Sequence, residues 1–250
     1  MAAEGTYVLS IAGFDPSGGA GVLADIKTFE ANKVIGMGAV SALTFQNDIE
    51  FDSLKWMETA EILKQVLLLN KRFDFPVVKI GLIKDLKALE NIIATFKTQF
   101  STFKLIWDPI VKASAGFEIH KNFEKEKLVA VLKNCYLITP NTDEILFLTG
   151  IDNPMEAAKE LSAYCNVLLK GGHNKEEPGV DYLFMKNKVE KIVPTEKNIY
   201  PKHGSGCILS SAIAANLARG NDLITSCREA KKYVEKVLSS NQSLLGVHYV

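Results

Sequence analysis

Tyr7-Val8-Leu9-Ser10-Ile11-Ala12 is an apolar run of strand length, and beyond it Val22, Ile26 and Phe29 recur at helical spacing on one face. A second strand-length run, residues 38–45, comes next. The alternation then continues through strands at 77–80, 104–107, 136–138 and 167–169. Helical faces fall between and around these runs: Ile62, Val66 and Leu69; Leu86, Leu89, Ile93 and Phe96; Leu128, Val131 and Leu132; Ala157, Ala158 and Leu161. Strands alternating with helices of this length predict an α/β fold, a central and mostly parallel sheet covered by helices.

Toward the C-terminus a helix over 208–219 is separated by Arg219-Gly220-Asn221 from a second. That second helix carries Leu223, Cys227, Ala230, Val234 and Val237 on one face. The glycine suits the left-handed conformation that ends a helix. Residues 182–185 and 189–193 flank Lys186-Asn187-Lys188 and read as a hairpin. No repeat, low-complexity tract or linker divides the chain, so residues 1–250 are expected to form one domain.

With 250 residues and 47% hydrophobic content, the chain can bury a sizeable core. Lys plus Arg and Asp plus Glu balance at 29 each, so no net field draws it to nucleic acid or an acidic membrane. Cys135, Cys165, Cys207 and Cys227 are far apart in sequence and contain no C-x-x-C pair, which predicts reduced thiols rather than a zinc site or disulfide framework. No signal-like N-terminus and no run of eighteen apolar residues is present, and a cytoplasmic protein that does not enter membranes is expected.

Lys202-His203-Gly204-Ser205-Gly206-Cys207 leads into the first C-terminal helix. Unpartnered N–H groups and the macrodipole make such a helix start favour anions, and the same field favours a cysteine thiolate. A plain turn with a small buried cysteine is the competing explanation. In an open parallel sheet the ligand crevice lies beyond the carboxyl ends of the strands. Gly13, Asp15, Ser17, Gly18 and Gly19 follow the first strand, Gln46 and Asn47 the second, and Gly81 the third. Asp108 follows the fourth, Asn141 and Glu144 the fifth, and Lys170-Gly171-Gly172-His173 the sixth.

Asn141 and Glu144 carry oxygens that suit a hard cation such as Mg²⁺, and they equally suit an N-cap pair. Lys170 suits a phosphate or simple solvation. Asp25 borders the apolar face of the first helix, where a carboxylate needs a partner: a ligand N–H or a backbone N–H. Gln46 has the donor and acceptor to read a heterocycle edge or to cap a sheet end.

The run Ile11-Ala12-Gly13-Phe14-Asp15-Pro16-Ser17-Gly18-Gly19-Ala20-Gly21, followed by Ala24-Asp25-Ile26-Lys27-Thr28, resembles the opening of the hydroxymethylpyrimidine/phosphomethylpyrimidine kinases of thiamine biosynthesis. These belong to the ribokinase-like superfamily. The likeness continues through Gln46-Asn47, Lys79-Ile80-Gly81, Asp108-Pro109, Ile138-Thr139-Pro140-Asn141 with Glu144, Leu169 to His173, and His203 to Cys207.

The resemblance implies helices on both faces of the sheet, a small lid and a homodimer. It implies ATP-dependent phosphorylation of 4-amino-5-hydroxymethyl-2-methylpyrimidine and of its monophosphate, with Mg²⁺. It places the pyrimidine near Gly13, Ala20, Asp25, Gln46, Leu82 and Ile110. Cys207 takes the place of the base, and Gly204, Ser205, Gly206 and Cys207 form the anion hole. Lys170, Asn141, Glu144 and Asp108 fall to the nucleotide, with Glu144 and Asn141 reaching the metal directly or through water.

Phe14, Lys112 and Ser114 depart from the family pattern, as does the short ending Gly246-Val247-His248-Tyr249-Val250. Pyridoxal kinases share the superfamily and form the first competing reading. A non-catalytic pyrimidine or nucleotide binder is the second. A cysteine hydrolase using Cys207 and His203 is the third, and the sequence offers it no residue to orient the histidine.

Overall fold

Neighbouring residues along each strand enter different cores. Val8, Val77, Ile106, Leu137, Leu168 and Leu183 pack into one apolar cluster, while Leu9, Val78, Leu105, Ile138, Val167 and Phe184 pack into the other. Side chains of a strand alternate between faces, so this division means that both faces of the sheet are covered.

The computed structural model describes residues 5–112, 124–172, 177–196 and 198–249. In chain order the elements are β1 (Tyr7–Phe14), α1 (Gly21–Ala31), β2 (Ile35–Gln46), β3 (Phe51–Trp56), α2 (Thr59–Asn70), β4 (Val77–Ile80), α3 (Leu86–Gln99) and β5 (Lys104–Trp107). Next come α4 (Lys125–Leu132), β6 (Leu137–Ile138), α5 (Thr142–Thr149), α6 (Pro154–Leu161) and β7 (Asn166–Leu169). The chain ends with β8 (Asp181–Met185), β9 (Lys188–Ile192), α7 (Ser205–Ala218) and α8 (Leu223–Ser239).

Among the described residues, nine strands form one sheet in the order β3-β2-β1-β4-β5-β6-β7-β8-β9. β2, β1, β4, β5, β6 and β7 are mutually parallel, and β3, β8 and β9 add antiparallel edges. Helices α2 to α6 supply one core, and α1, α7 and α8 supply the other. This is the expected ribokinase-like α/β architecture.

Three details differ from the sequence reading. β2 begins at Ile35 rather than residue 38, because Gly36 and Gly38 are strand residues that let α1 press directly on the sheet. A Cβ on Gly38 would lie 2.4 Å from Val22 of α1. β3 was not anticipated; it is an edge strand with mostly exposed side chains and lacks a strong apolar run. β2 outruns β1 at Thr44, Phe45 and Gln46, where among the described residues it pairs with β3 alone, giving a two-stranded projection above the sheet end. Finally, α7 starts at Ser205, so Gly206 and Cys207 belong to its first turn.

Candidate active site

Two loops meet because glycine allows the contact. Gly204 caps α7 with φ +74, and a Cβ there would lie 2.2 Å from the Gly19 carbonyl oxygen. Gly21 opens α1 with φ +62, and its Cβ would lie 2.1 Å from the Gly13 oxygen. The loop after β1 is therefore pressed onto the first turn of α7. Gly204→Ala is expected to cost about 1–3 kcal/mol from the left-handed backbone alone, before any clash. Denaturant unfolding of the variant measures this loss, and an unchanged midpoint would contradict the packing.

Polar contacts lock the same junction. Asp15 accepts from the Ser17 N–H at 2.9 Å, the Ser17 hydroxyl at 2.9 Å and the Ala20 N–H at 2.9 Å. His203 Nε2 lies 2.8 Å from Asp15 Oδ2. Burial raises the Asp15 carboxyl, but His203 and these donors outweigh it and hold it below the ordinary aspartate value. The orienting partner of His203 that the sequence could not supply is thus Asp15. Among the described residues the buried imidazole Nδ1 has no hydrogen-bond partner, so His203 forms no pair with the Cys207 thiol.

The first turn of α7 has no side-chain cap, which leaves its N–H groups for an anion. Cys207 sits in that turn, buried. Here the structure corrects the thiolate expectation. Burial pushes the thiol up to about 11, and Asp108 and Asp25 oppose its ionisation further; Lys79 and the Gly21 N–H compensate only in part. Desolvation exceeds the favourable field at the helix start.

A second cluster forms where β5, β6 and β7 end. Asn141 and Lys170 are bridged as parallel neighbours. Lys170 Nζ lies 2.9 Å from Asp108 and 3.4 Å from Glu144. It also stands 3.2 Å from where a Cβ on Gly206 would be, which puts the ammonium against the first turn of α7. Asp108 further accepts from Thr139 at 2.9 Å and Ser210 at 3.2 Å. Burial would raise its carboxyl, yet Lys170 and Lys79 hold it below the usual range.

Asn141 and Glu144 make a reciprocal capping box on α5: Glu144 N–H donates to Asn141 Oδ1 at 2.8 Å, and Asn141 N–H donates to Glu144 Oε2 at 2.6 Å. The cap reading of this pair is therefore real, and it leaves Glu144 buried beside Asp108. No group of three His, Cys, Asp or Glu residues that could hold a metal occurs among the described residues. What is present is an oxygen set already sharing one ammonium, which fits a Mg²⁺ ion held largely by nucleotide oxygens and water rather than by a protein cage.

Burial raises the Glu144 carboxyl to about 7, and the negative charge of Asp108 adds to this. Its folded-state value lies above its ordinary value of 4.5. The stability it contributes is consequently present at acid pH and lost as pH rises toward 7. Glu144→Gln should flatten the stability profile of the ligand-free protein between pH 5 and pH 8, read by denaturant unfolding. An unchanged slope would contradict the assignment.

The remaining expected residues divide. Gly13 lies against Leu82 and Thr44, with a would-be Cβ 2.8 Å from Leu82 Cδ2 and 3.5 Å from Thr44 Cγ2. Gln46 donates to the Thr44 hydroxyl at 2.9 Å, and the Ser41 hydroxyl donates to the Leu82 carbonyl at 2.5 Å. Gly13, Gln46 and Leu82 thus border one region next to the Ala20 loop. Ile110 instead follows β5, where its N–H donates to the Asp108 carbonyl two residues earlier at 2.9 Å. Phe14 uses its backbone oxygen to accept from Thr44 at 2.8 Å, and Lys112 is exposed. Ser114 and His173 lie outside the described residues.

Asp25 has side-chain partners that the sequence reading did not name. It is fully buried, and its two oxygens accept from Lys79 at 2.8 and 2.9 Å, Ser10 at 2.5 Å and Ser211 at 2.7 Å. Protein donors thus surround both carboxylate oxygens. Lys79, equally buried, was missed as a partner. Burial disfavours its ammonium, but Asp25, Cys207 and Asp108 hold its pKa above the ordinary lysine value. The Asp25–Lys79 pair therefore lies one helical turn from Cys207, tied to α7 by Ser211.

Comparison with known proteins identifies the family. The family model described as phosphomethylpyrimidine kinase matches residues 15–249. A hydroxymethylpyrimidine/phosphomethylpyrimidine kinase of Aquifex aeolicus is 31% identical over 249 residues, covering 94% of this chain and 95% of the relative. The crystal structure of a Clostridium difficile phosphomethylpyrimidine kinase superposes with a TM-score of 0.76 at 31% identity, covering 91% of this chain and 97% of the other. An ADP complex of Bacillus subtilis pyridoxal kinase superposes with a TM-score of 0.84 at 27% identity, covering 99% and 96%.

Proposed function

Since this chain belongs to the phosphomethylpyrimidine kinase family, we propose that it phosphorylates 4-amino-5-hydroxymethyl-2-methylpyrimidine and then its monophosphate at the expense of ATP, in thiamine biosynthesis. The observation that carries the reading is one junction. There the uncapped first turn of α7, with Cys207, touches both the loop after β1 and the Asp108–Lys170–Glu144 cluster.

Phosphoryl transfer asks little covalent work of the protein, so alignment and charge neutralisation dominate. The pyrimidine lies by Gly13, Ala20, Gln46, Leu82 and Ile110, with its hydroxymethyl oxygen toward Cys207. The N–H groups of Gly204, Ser205, Gly206 and Cys207 receive the oxygens of the migrating phosphoryl group. Lys170 exchanges part of its pairing with Asp108 and Glu144 for nucleotide phosphate. Asn141 and Glu144 would hold Mg²⁺, directly or through water, and the ion would supply charge neutralisation at the nucleotide phosphates. Near neutral pH the protonated thiol orients the alcohol; its thiolate form accepts the proton as pH rises.

We also infer a single kinase domain over residues 1–250 working as a homodimer in the cytoplasm. The continuous sheet, the exposed Leu43, Phe45 and Ile49 around the β2–β3 projection, and the free thiols of the four cysteines support these three points in turn. Pyridoxal kinase is the second reading, favoured by the superposition on the Bacillus enzyme. An ADP-release assay with the hydroxymethylpyrimidine, its monophosphate and pyridoxal separates the two. Turnover of both pyrimidines is expected; turnover of pyridoxal alone would overturn the proposal.

A further inference from the structure

Asp15 and His203 are 188 residues apart, and each already serves a loop that borders the site. On the acceptor side, Asp15 gathers the Ser17 and Ala20 N–H groups and so shapes the loop that carries Ala20. On the phosphate side, His203 directly precedes the Gly204 cap of α7, and its own N–H donates to the Leu244 carbonyl at 2.8 Å. Gly19 fits beneath the ring, where its would-be Cβ would lie 2.7 Å from His203 Cδ2. Histidine and aspartate are almost wholly buried, with side-chain exposures of 5% and 1%.

A carboxylate is purely an acceptor, so the 2.8 Å contact requires the proton on His203 Nε2. Nδ1, on the other side of the ring, is buried without a hydrogen-bond partner among the described residues. An unpaired polar atom is costly, and the cost is accepted here to keep one hydrogen bond between two loops.

We propose that Asp15 and His203 form a positioning dyad that sets the separation between the acceptor pocket and the phosphate-binding turn of α7, holding alcohol and phosphoryl group in line. The proposal rests on the kinase reading above. Misplacement of reacting groups by about 1 Å costs on the order of 100-fold in rate while leaving each ligand its own contacts. The dyad therefore acts on kcat more than on binding.

The test uses the full-length protein, His203→Leu and His203→Gln, since glutamine can place an N–H near the Nε2 position. Nitrogen NMR of the ligand-free wild type should show the Nε2–H tautomer of His203; the Nδ1–H tautomer would overturn the dyad. His203→Leu should lower kcat for the hydroxymethylpyrimidine on the order of 100-fold. Its separately titrated dissociation constants for ATP and for the pyrimidine should stay close to wild type. His203→Gln should recover most of the rate. A glutamine variant as slow as the leucine one, or a loss confined to dissociation constants, would overturn the proposal. Should His203→Leu fail to fold, the glutamine variant and the tautomer decide. Wild-type protein inactive on pyrimidines would refute the kinase reading, and the tautomer would still judge the hydrogen bond.

Discussion

Cys207→Ala is expected to slow phosphorylation of the hydroxymethyl acceptor by about 100- to 10,000-fold, the range over which a positioned acid or base contributes. The second phosphorylation should suffer far less, because its acceptor is already an anionic phosphate and needs no base. ADP release with each acceptor measures both, and equal losses would contradict the role of the sulfur. The pH profile sharpens the test. Burial puts the thiol at about 11, so at pH 7 only about one molecule in 10,000 carries the thiolate, and that share grows about tenfold per pH unit. Turnover of the alcohol should therefore climb above neutrality in the wild type. The alanine variant should lose that climb, and the phosphate acceptor should show little of it in either protein.

Asp25→Ala should destabilise the fold by about 3–5 kcal/mol, since it leaves the Lys79 ammonium buried without its counter-charge. Lys79 has no exposure, and Asp25 is the partner at 2.8 and 2.9 Å. The double variant Asp25→Leu/Lys79→Met removes both charges and should regain much of that loss. Denaturant unfolding of the two proteins measures the difference. A mild effect in Asp25→Ala, or a double variant as unstable as the single, would contradict the pair. Ser10 and Ser211 lose an acceptor in both variants, so this contribution falls out of the comparison.

The sheet was legible because strands covered on both faces read as short apolar runs, and Val77–Ile80 and Lys104–Trp107 have the expected boundaries. β3 was not, because an edge strand with solvent on much of its surface carries no such run. The start of β2 was obscured by Gly36 and Gly38, which resemble a turn in sequence and serve as contact points for α1. Asp108, Asn141, Glu144 and Lys170 were found by asking what lies beyond the strand ends, and they do converge. Neither the Asp15–His203 contact nor the Asp25–Lys79 pair could be read that way, because Asp25 lies within α1, Lys79 within β4 and His203 just before α7, none of them beyond a strand end. A signal for the latter did exist. Lys79 interrupts a four-residue buried strand, and Asp25 interrupts an apolar helix face, so each charge required a buried partner. The raised thiol pKa escaped notice because a helix start is visible in sequence and the burial of a cysteine is not.

The most direct test is a crystal structure with a non-hydrolysable ATP analogue and the hydroxymethylpyrimidine bound together. The terminal phosphate oxygens should accept from the N–H groups of Ser205, Gly206 and Cys207, and the acceptor hydroxyl should lie within hydrogen-bonding distance of the Cys207 sulfur. A terminal phosphate bound elsewhere, with the hydroxyl turned away from that sulfur, would contradict the account.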